Sequence, residues 1–277
     1  MHLWNTILNT LPFDWAHYPF MQNALLAVLI AAPLFALLGC MVIQNQMSFF
    51  SEAMGHSAYT GIAIGALFGM AADPALFMLL FALALAAGIV AVRRYSTLSN
   101  DTVIALVMSL VVALGVVLLS RNGGFAKYSR FLVGDLLNIA PAEILRLLVL
   151  AAVVVAAWLV LFNRLFMTSL NRPLARSRGV SVLPVEMIFS MLVAAVVTVT
   201  IPWIGLLVIN SMLIVPAATA RNLARTTAGY VRLAVLLSVL AGVLGCIASY
   251  YWSTATGATI VLVACGFFAL SLPFRRR

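Results

Sequence analysis

The sequence predicts an all-α, polytopic membrane helical bundle of about nine transmembrane helices. Hydrophobic residues make up 65% of the 277 residues, charged residues only 8%, and the mean hydropathy is +1.15. A soluble domain carries about a quarter charged residues, because charges cover its water-facing surface. This chain has too few charges for such a surface, so most of its exterior is expected to face lipid. We therefore expect a single membrane domain over residues 1–277.

Apolar stretches set the number of helices, since a bilayer span needs about 20 mostly apolar residues. The candidate spans are 20–43, 47–71, 74–92, 102–119, 142–163, 184–201, 205–220, 230–252 and 257–273. The second is the least typical, because Glu52 and His56 lie within it. We interpret 184–220 as two spans with a turn at Pro202 and Trp203, because one helix of that length would far exceed the bilayer thickness.

Basic residues predict the orientation, since cytoplasmic loops carry an excess of Lys and Arg. With nine spans, twelve basic residues lie on one side and four on the other, which places the N-terminus outside and the C-terminus in the cytoplasm. The larger set is Arg93, Arg94, Arg164, Arg172, Arg176, Arg178, Arg221, Arg225, Arg232, Arg275, Arg276 and Arg277; the smaller is Arg121, Lys127, Arg130 and Arg146. No basic face is interleaved with aromatic residues, so we expect a lipid partner and no nucleic acid.

Motifs for catalysis or nucleotide binding are missing from the sequence. There is no Gly-x-x-x-x-Gly-Lys-Ser/Thr phosphate loop, and the only lysine, Lys127, is not in such a setting. Neither a Ser-His-Asp arrangement nor a His-Glu-x-x-His helix is present. We therefore expect no enzymatic activity and no permanently bound cofactor.

Glu52 and His56 are the clearest functional candidates, because ionisable groups within a span are costly and usually have a role. They are four residues apart and therefore share one face of a helix. If the helix starts near Met47, His56 lies about 13 Å along it, close to mid-membrane. A carboxylate and an imidazole together suit a divalent cation such as zinc or manganese. The alternative is a hydrogen-bonded pair that only packs two helices.

Other residues of the spans have structural interpretations. Gly61, Gly65 and Gly69 follow a small-xxx-small spacing, which is typical of close helix packing. Asp101 follows Ser99 and Asn100 and is expected to cap the fourth span.

Pro216 interrupts the helical hydrogen bonding of its span and makes that span a candidate hinge or pathway wall. Asn210 and Ser211, a turn or two earlier, are expected to satisfy the freed backbone groups.

The connection 164–183 is expected to lie in the cytoplasm, with a break at Pro173 and a short helix that ends at Gly179. This helix is either a docking element or a solvated connector. If the helix is a docking element, the residues expected to contact the partner are, besides Pro173 and Gly179, Arg172, Leu174, Arg176 and Arg178.

Residues 47–57, MSFFSEAMGHS, resemble the second-span signature of metal-ion permeases of ATP-binding-cassette importers. Three further stretches agree in order and spacing: Asp101-Thr102, FLVGDLL at 131–137 and INSMLIVPAATAR at 209–221. The resemblance covers about residues 20–272. Where the family signature usually has Asp, this chain has Glu52.

This resemblance implies a permease subunit in the bacterial cytoplasmic (inner) membrane. The implied partners are two cytoplasmic ATP-binding subunits, an extracytoplasmic protein that delivers zinc, manganese or iron, and a second permease copy, giving a homodimer or a paired permease. It implies that Glu52 and His56 contact the transported metal. Ser109 stands where some zinc-type members carry another histidine, and the helix near Pro173–Gly179 occupies the position that meets the ATPase.

Two other functions remain compatible with the residues. One is import of a metal chelate or small organic solute by the same fold. The other is an ion-coupled secondary carrier with Glu52 as the titrating group, against which the lack of other buried carboxylates argues.

Overall fold

The computed structural model describes residues 4, 8, 12–67, 74–121, 134 and 136–274, and these residues form helices and turns without any strand. Long apolar runs favour helix in a membrane, because a helix satisfies its own backbone hydrogen bonds in lipid. The α-helices are α1 Pro19–Gln44, α2 Phe50–Leu67, α3 Pro74–Tyr95, α4 Asn100–Arg121, α5 Pro141–Leu170, α6 Arg172–Ser177, α7 Val182–Ile204, α8 Leu206–Leu223, α9 Thr227–Trp252 and α10 Thr256–Ser271.

Eight helices of the described chain are long and apolar enough to cross a membrane. Only 22% of the most apolar stretch of α4, and the same share of α5, is buried within the chain. Apolar helices exposed to this degree need lipid or another protein around them. The all-α, multi-pass membrane fold predicted from composition is therefore confirmed.

Helix α2 is long enough to belong to this group of eight but is not apolar enough, because it contains polar residues such as Glu52 and His56. Its 18 described residues span about 27 Å at 1.5 Å per residue, close to the ~30 Å of a hydrocarbon core. The predicted crossing at 47–71 thus has a helix at its centre. Residues 68–71 lie outside the described part of the chain.

The 184–220 stretch forms two helices, as predicted, but the turn position was wrong. Pro202 and Trp203 lie inside α7, and the break falls at Gly205, whose φ is 83°. A positive φ is reached without steric cost only by glycine, whereas a proline near a helix end is tolerated when neighbouring groups accommodate it.

The end of α5 also differs from the expectation. The helix continues from the predicted 163 to Leu170, so part of the connection 164–183 is helical. Residues 164–170 contain neither proline nor glycine, and the hydroxyls of Thr168 and Ser169 donate to carbonyls one turn earlier. Nothing in this sequence stops the helix before Asn171.

The chain folds into two compact units. Unit 1 comprises Met1–Cys40, Val133–Val155 and Pro202–Arg277; unit 2 comprises Met41–Leu132 and Ala156–Ile201. Within unit 1, α8, α9 and α10 pack against one another. Within unit 2, α2 packs against both α3 and α4.

Small residues bring α2 close to its neighbours. A Cβ atom on Gly61 would lie 2.9 Å from the Phe77 carbonyl oxygen, and one on Gly65 would lie 2.9 Å from the Phe77 ring. On the α4 side, the Thr60 hydroxyl donates to the Val111 carbonyl at 2.9 Å. These contacts fix α2 between α3 and α4. Gly69 lies outside the described residues.

We expect Gly61→Ala to destabilise the protein by about 1–3 kcal/mol, because the added methyl meets backbone atoms that cannot move freely. Gly88→Ala is the matched control, since a Cβ there has nothing within 4 Å. Alanine should stabilise that helical position by up to about 1 kcal/mol. Thermal unfolding in detergent measures both changes, and equal effects of the two substitutions would contradict the close packing.

Candidate functional site

The first two turns of α2 carry the predicted Glu52–His56 pair. A tight turn precedes the helix, in which Gln46 takes the left-handed conformation with φ 54°. The helix therefore begins at Phe50 and not near Met47, and Glu52 belongs to its first turn. His56 lies about 9 Å along the helix instead of the expected 13 Å. The pair is nearer to the end of the helix than its position in the apolar stretch predicted.

The geometry of the pair permits joint binding of one cation. His56 Nε2 and Glu52 Oε1 are 4.0 Å apart, and the side chains are 31% and 41% exposed in the single chain. Two ligand atoms of a tetrahedral site, each about 2.1 Å from a metal, are separated by about 3.4 Å. A small rotation of either side chain closes this difference. The sequence-based expectation of a shared face agrees with this distance.

Tyr59 extends the same face by one turn and was missed by the sequence reasoning. Its ring centroid lies 6.3 Å from that of His56, and its buried hydroxyl has no hydrogen-bond partner in the described chain. The signal was present in the sequence, because positions i, i+4 and i+7 share a helix face. Glu52, His56 and Tyr59 therefore form one polar stripe on α2.

The structure does not join Ser109 to this stripe. Ser109 is exposed on α4, and its hydroxyl donates to the Ala105 carbonyl at 3.0 Å. The α2–α4 contact is instead made by Thr60 and Val111. Among the described residues, no group of three or more His, Cys, Asp or Glu side chains converges on one point.

Helix α8, in unit 1, carries the other pathway candidates. Asn210 Oδ1 and Ser211 Oγ are buried without a hydrogen-bond partner in the described residues. The Ser211 hydroxyl thus does not satisfy a backbone group freed by Pro216, contrary to expectation. Four residues after Val215, the Thr219 hydroxyl donates to the Val215 carbonyl at 2.7 Å.

The short helix in 164–183 is present, as predicted, but the break before it falls at Asn171 and not at Pro173. The Asn171 side chain caps α6 by accepting the Leu174 N–H at 3.0 Å, and Pro173 occupies the first turn, where its missing N–H costs nothing. The helix ends before Gly179, whose φ is 75°. Helix α6 is thus capped at both ends, with Ala175 buried and Leu174 exposed.

An ion-pair network at this end of unit 2 was not predicted. Arg172 Nη2 lies 2.8 Å from Glu186 Oε1, and Arg93 Nη2 lies 4.0 Å from Glu186 Oε2. In the sequence, Arg93 counted only as a topology signal, and Glu186 was not singled out. Their separation along the chain leaves no local pattern that predicts the contact.

The expected capping role of Asp101 was wrong. Ser99 caps α4 by accepting the Thr102 N–H at 3.2 Å, whereas Asp101 Oδ1 accepts the Phe49 N–H at 3.4 Å. The helix begins one residue before Asp101, so the aspartate already lies in the first turn and its side chain is free for the turn before α2.

Comparison with known proteins gives consistent matches over almost the whole chain. A family model described as the ABC 3 transport family matches residues 17–275. The chain is 30% identical over 262 residues to the membrane protein ZnuB of a high-affinity zinc uptake system from Haemophilus influenzae, covering 94% of this chain and 98% of that protein. It is 28% identical over 257 residues to MntC, the membrane protein of a manganese transport system from Listeria innocua, covering 93% and 91%.

The fold matches a solved structure as well. PsaBC from Streptococcus pneumoniae, in complex with Fab, aligns with a TM-score of 0.77 at 27% sequence identity, over 92% of this chain and 91% of that one. The family inferred from the four sequence motifs is thereby confirmed. The chain is a multi-pass membrane protein that belongs to the ABC 3 transport family.

Proposed function

We propose that this chain is the membrane permease subunit of an ATP-binding-cassette importer that moves zinc or manganese ions into the cytoplasm. The observation that carries the proposal is the Glu52–His56 pair, 4.0 Å apart on a helix that packs between apolar helices. The named systems of the relatives transport zinc and manganese, which agrees with the ligand types of this pair.

Two ligands from one chain suit a transport site better than a storage site. A closed structural zinc site has four protein ligands, whereas an ion in transit has to leave again. Tyr59, one turn further along α2, offers a hydroxyl that has no partner in the described chain. Glu52 and His56 are therefore the proposed metal ligands, with the metal as the transported substrate.

The energy for transport is proposed to come from partner chains. Two cytoplasmic ATP-binding subunits would contact the segment around α6, and an extracytoplasmic protein would deliver the metal to a pair of permease copies. The twelve-to-four distribution of Arg and Lys favours a cytoplasmic position for α6 and the C-terminus. The proposed location is the bacterial inner membrane.

Transport by the purified complex in proteoliposomes tests this proposal. We expect ATP-dependent movement of Zn²⁺ or Mn²⁺ when the chain is reconstituted with its ATP-binding subunits and metal-delivery protein. A protease-cleavable tag after Arg277 should be removed only from the membrane face at which ATP is hydrolysed. Liposomes that hydrolyse ATP but move neither ion would contradict the proposed substrate, and cleavage from the opposite face would contradict the orientation.

A further inference from the structure

Arg93 is a buried arginine with three kinds of partner at the end of α3. Its side chain is only 4% exposed. Its Nε donates to Asn100 Oδ1 at 2.9 Å, its Nη1 contacts the Met47 sulfur at 3.4 Å, and its Nη2 lies 4.0 Å from Glu186. A topology signal needs only a charge at the membrane surface, so this degree of burial and bonding calls for another explanation.

Glu186 connects Arg93 to the short helix α6. Its side chain is 13% exposed, and it lies 2.8 Å from Arg172 but 4.0 Å from Arg93. Two guanidinium groups thus share one carboxylate, closely on one side and loosely on the other. A carboxylate can pair bidentately with only one guanidinium at a time, so a closer pairing of Glu186 with Arg93 requires a weaker pairing with Arg172.

The other end of the network reaches the turn before α2. Asn100, held by Arg93, donates from Nδ2 to the Asn45 carbonyl at 2.9 Å. Met47, the sulfur contact of Arg93, belongs to the same turn. This turn leads directly into the helix that carries Glu52.

Open space separates the same two segments elsewhere. A cavity of about 620 Å³ is lined on one side by Gln44–Gln46 and on the other by 168–173. Both segments line this cavity, so at this place they face open space and not each other's side chains. The polar chain through Glu186 and Arg93 runs between them.

We propose that Arg172, Glu186, Arg93 and Asn100 form a relay that transmits movement of α6 to the turn before the metal-binding helix. This inference rests on the proposed function and names how ATP hydrolysis acts on its site. When the ATP-binding subunit shifts α6, Arg172 loosens its hold on Glu186, and Glu186 pairs more closely with Arg93. Arg93 then changes its hold on Asn100 and Met47, which repositions the start of α2. These are positioning residues and do not contact the metal.

The relay is tested with Arg172→Gln and Glu186→Gln in the complete transporter. Glu186→Gln should still assemble with the ATP-binding subunits and hydrolyse ATP. In both variants the ATP consumed per Zn²⁺ or Mn²⁺ ion moved should rise at least fivefold. Glu186→Asp should restore part of the coupling. The matched control is Arg94→Gln, next to Arg93 but exposed and without an acidic partner in the described residues, which should keep the wild-type ratio.

A second readout does not depend on the metal. A spin label at Phe49→Cys, which is 47% exposed in the turn, combined with Cys265→Ser, reports movement of the turn when ATP is added. The response should persist in Arg94→Gln and disappear in Glu186→Gln. Arg172 is half-exposed, so Arg172→Gln should fold normally and keeps the test valid if Glu186→Gln does not fold.

The outcomes separate the two proposals. A combined Arg172→Gln/Glu186→Gln variant no worse than either single variant supports the relay, because the residues then act as one unit. If both single variants keep the wild-type ratio of ATP consumed to ions moved and the wild-type label response, the relay is overturned and the proposed substrate is not affected. A wild-type complex that moves neither ion but shows the label response overturns the proposed substrate and leaves the relay supported.

Discussion

His56→Ala should reduce metal uptake by about a hundredfold while the protein still folds and inserts into the membrane. Removing even an outer hydrogen-bond partner of a metal ligand costs about 10–100-fold, and His56 is proposed to be a ligand itself. The side chain is 31% exposed, so its removal leaves no buried cavity. Uptake of radioactive Zn²⁺ or Mn²⁺ by vesicles, normalised to protein amount, measures the effect.

Glu52 provides a graded version of the same experiment. Glu52→Ala should be as damaging as His56→Ala, whereas Glu52→Asp keeps a carboxylate and should remain active, with altered preference between the two ions. His17→Ala is the control, because His17 is an exposed histidine in a turn before α1. Normal uptake in His56→Ala would mean that the pair only packs α2 against its neighbours.

Leu174→Glu should release the ATP-binding subunits from the membrane chain and abolish ATP-driven transport. Leu174 lies on α6 and is 54% exposed, which suits an apolar contact with a groove on a partner. A carboxylate there replaces an apolar contact by a charge that loses its water on binding, which should weaken binding by about 2 kcal/mol or more, roughly 30-fold. Co-purification of the ATP-binding subunits measures this loss.

The matched control is Leu98→Glu, a leucine of nearly equal exposure, 53%, in the connection before α4. It should leave the complex intact, and both variants should insert normally because no basic residue is changed. Proline at position 174 would be a less specific test than a charge, because it removes the Leu174 N–H that the Asn171 side chain accepts and so disturbs the cap of α6 itself. If the Leu174→Glu complex stays intact, α6 is a solvated connector and not the contact with the ATP-binding subunits.

Local properties of the chain were predictable from the sequence. Apolar stretches of sufficient length predicted the helices, and the spacing of four residues placed Glu52 and His56 on one face. Pro173 lies in the first turn of the short helix, where its fixed φ and missing N–H are tolerated, and Gly179 follows the end of the helix, because glycine reaches a positive φ without steric cost. In lipid each spanning segment has to form its own backbone hydrogen bonds, so an apolar stretch of sufficient length predicts a helix.

Helix ends were less predictable, because apolar length does not mark them. Helix α2 starts at Phe50 because a turn comes before it, in which Gln46 has a left-handed backbone conformation. The break between α7 and α8 falls at Gly205, although Pro202 is the stronger breaker in isolation. In both places a single backbone conformation, supported by neighbouring residues, decided the boundary.

Interactions between distant residues depended on the tertiary structure alone. Arg93 and Glu186 are far apart in sequence, and Ser109 lies on a helix that packs against α2 yet turns its hydroxyl back to its own backbone. The amino-acid sequence by itself determined that this is a helical membrane protein with a carboxylate–imidazole pair on one helix. Only the tertiary structure decided that Arg93, which the sequence marked as a topology signal, is buried near the Glu186 carboxylate. An ion pair requires two side chains to meet in space, and no sequence period marks it.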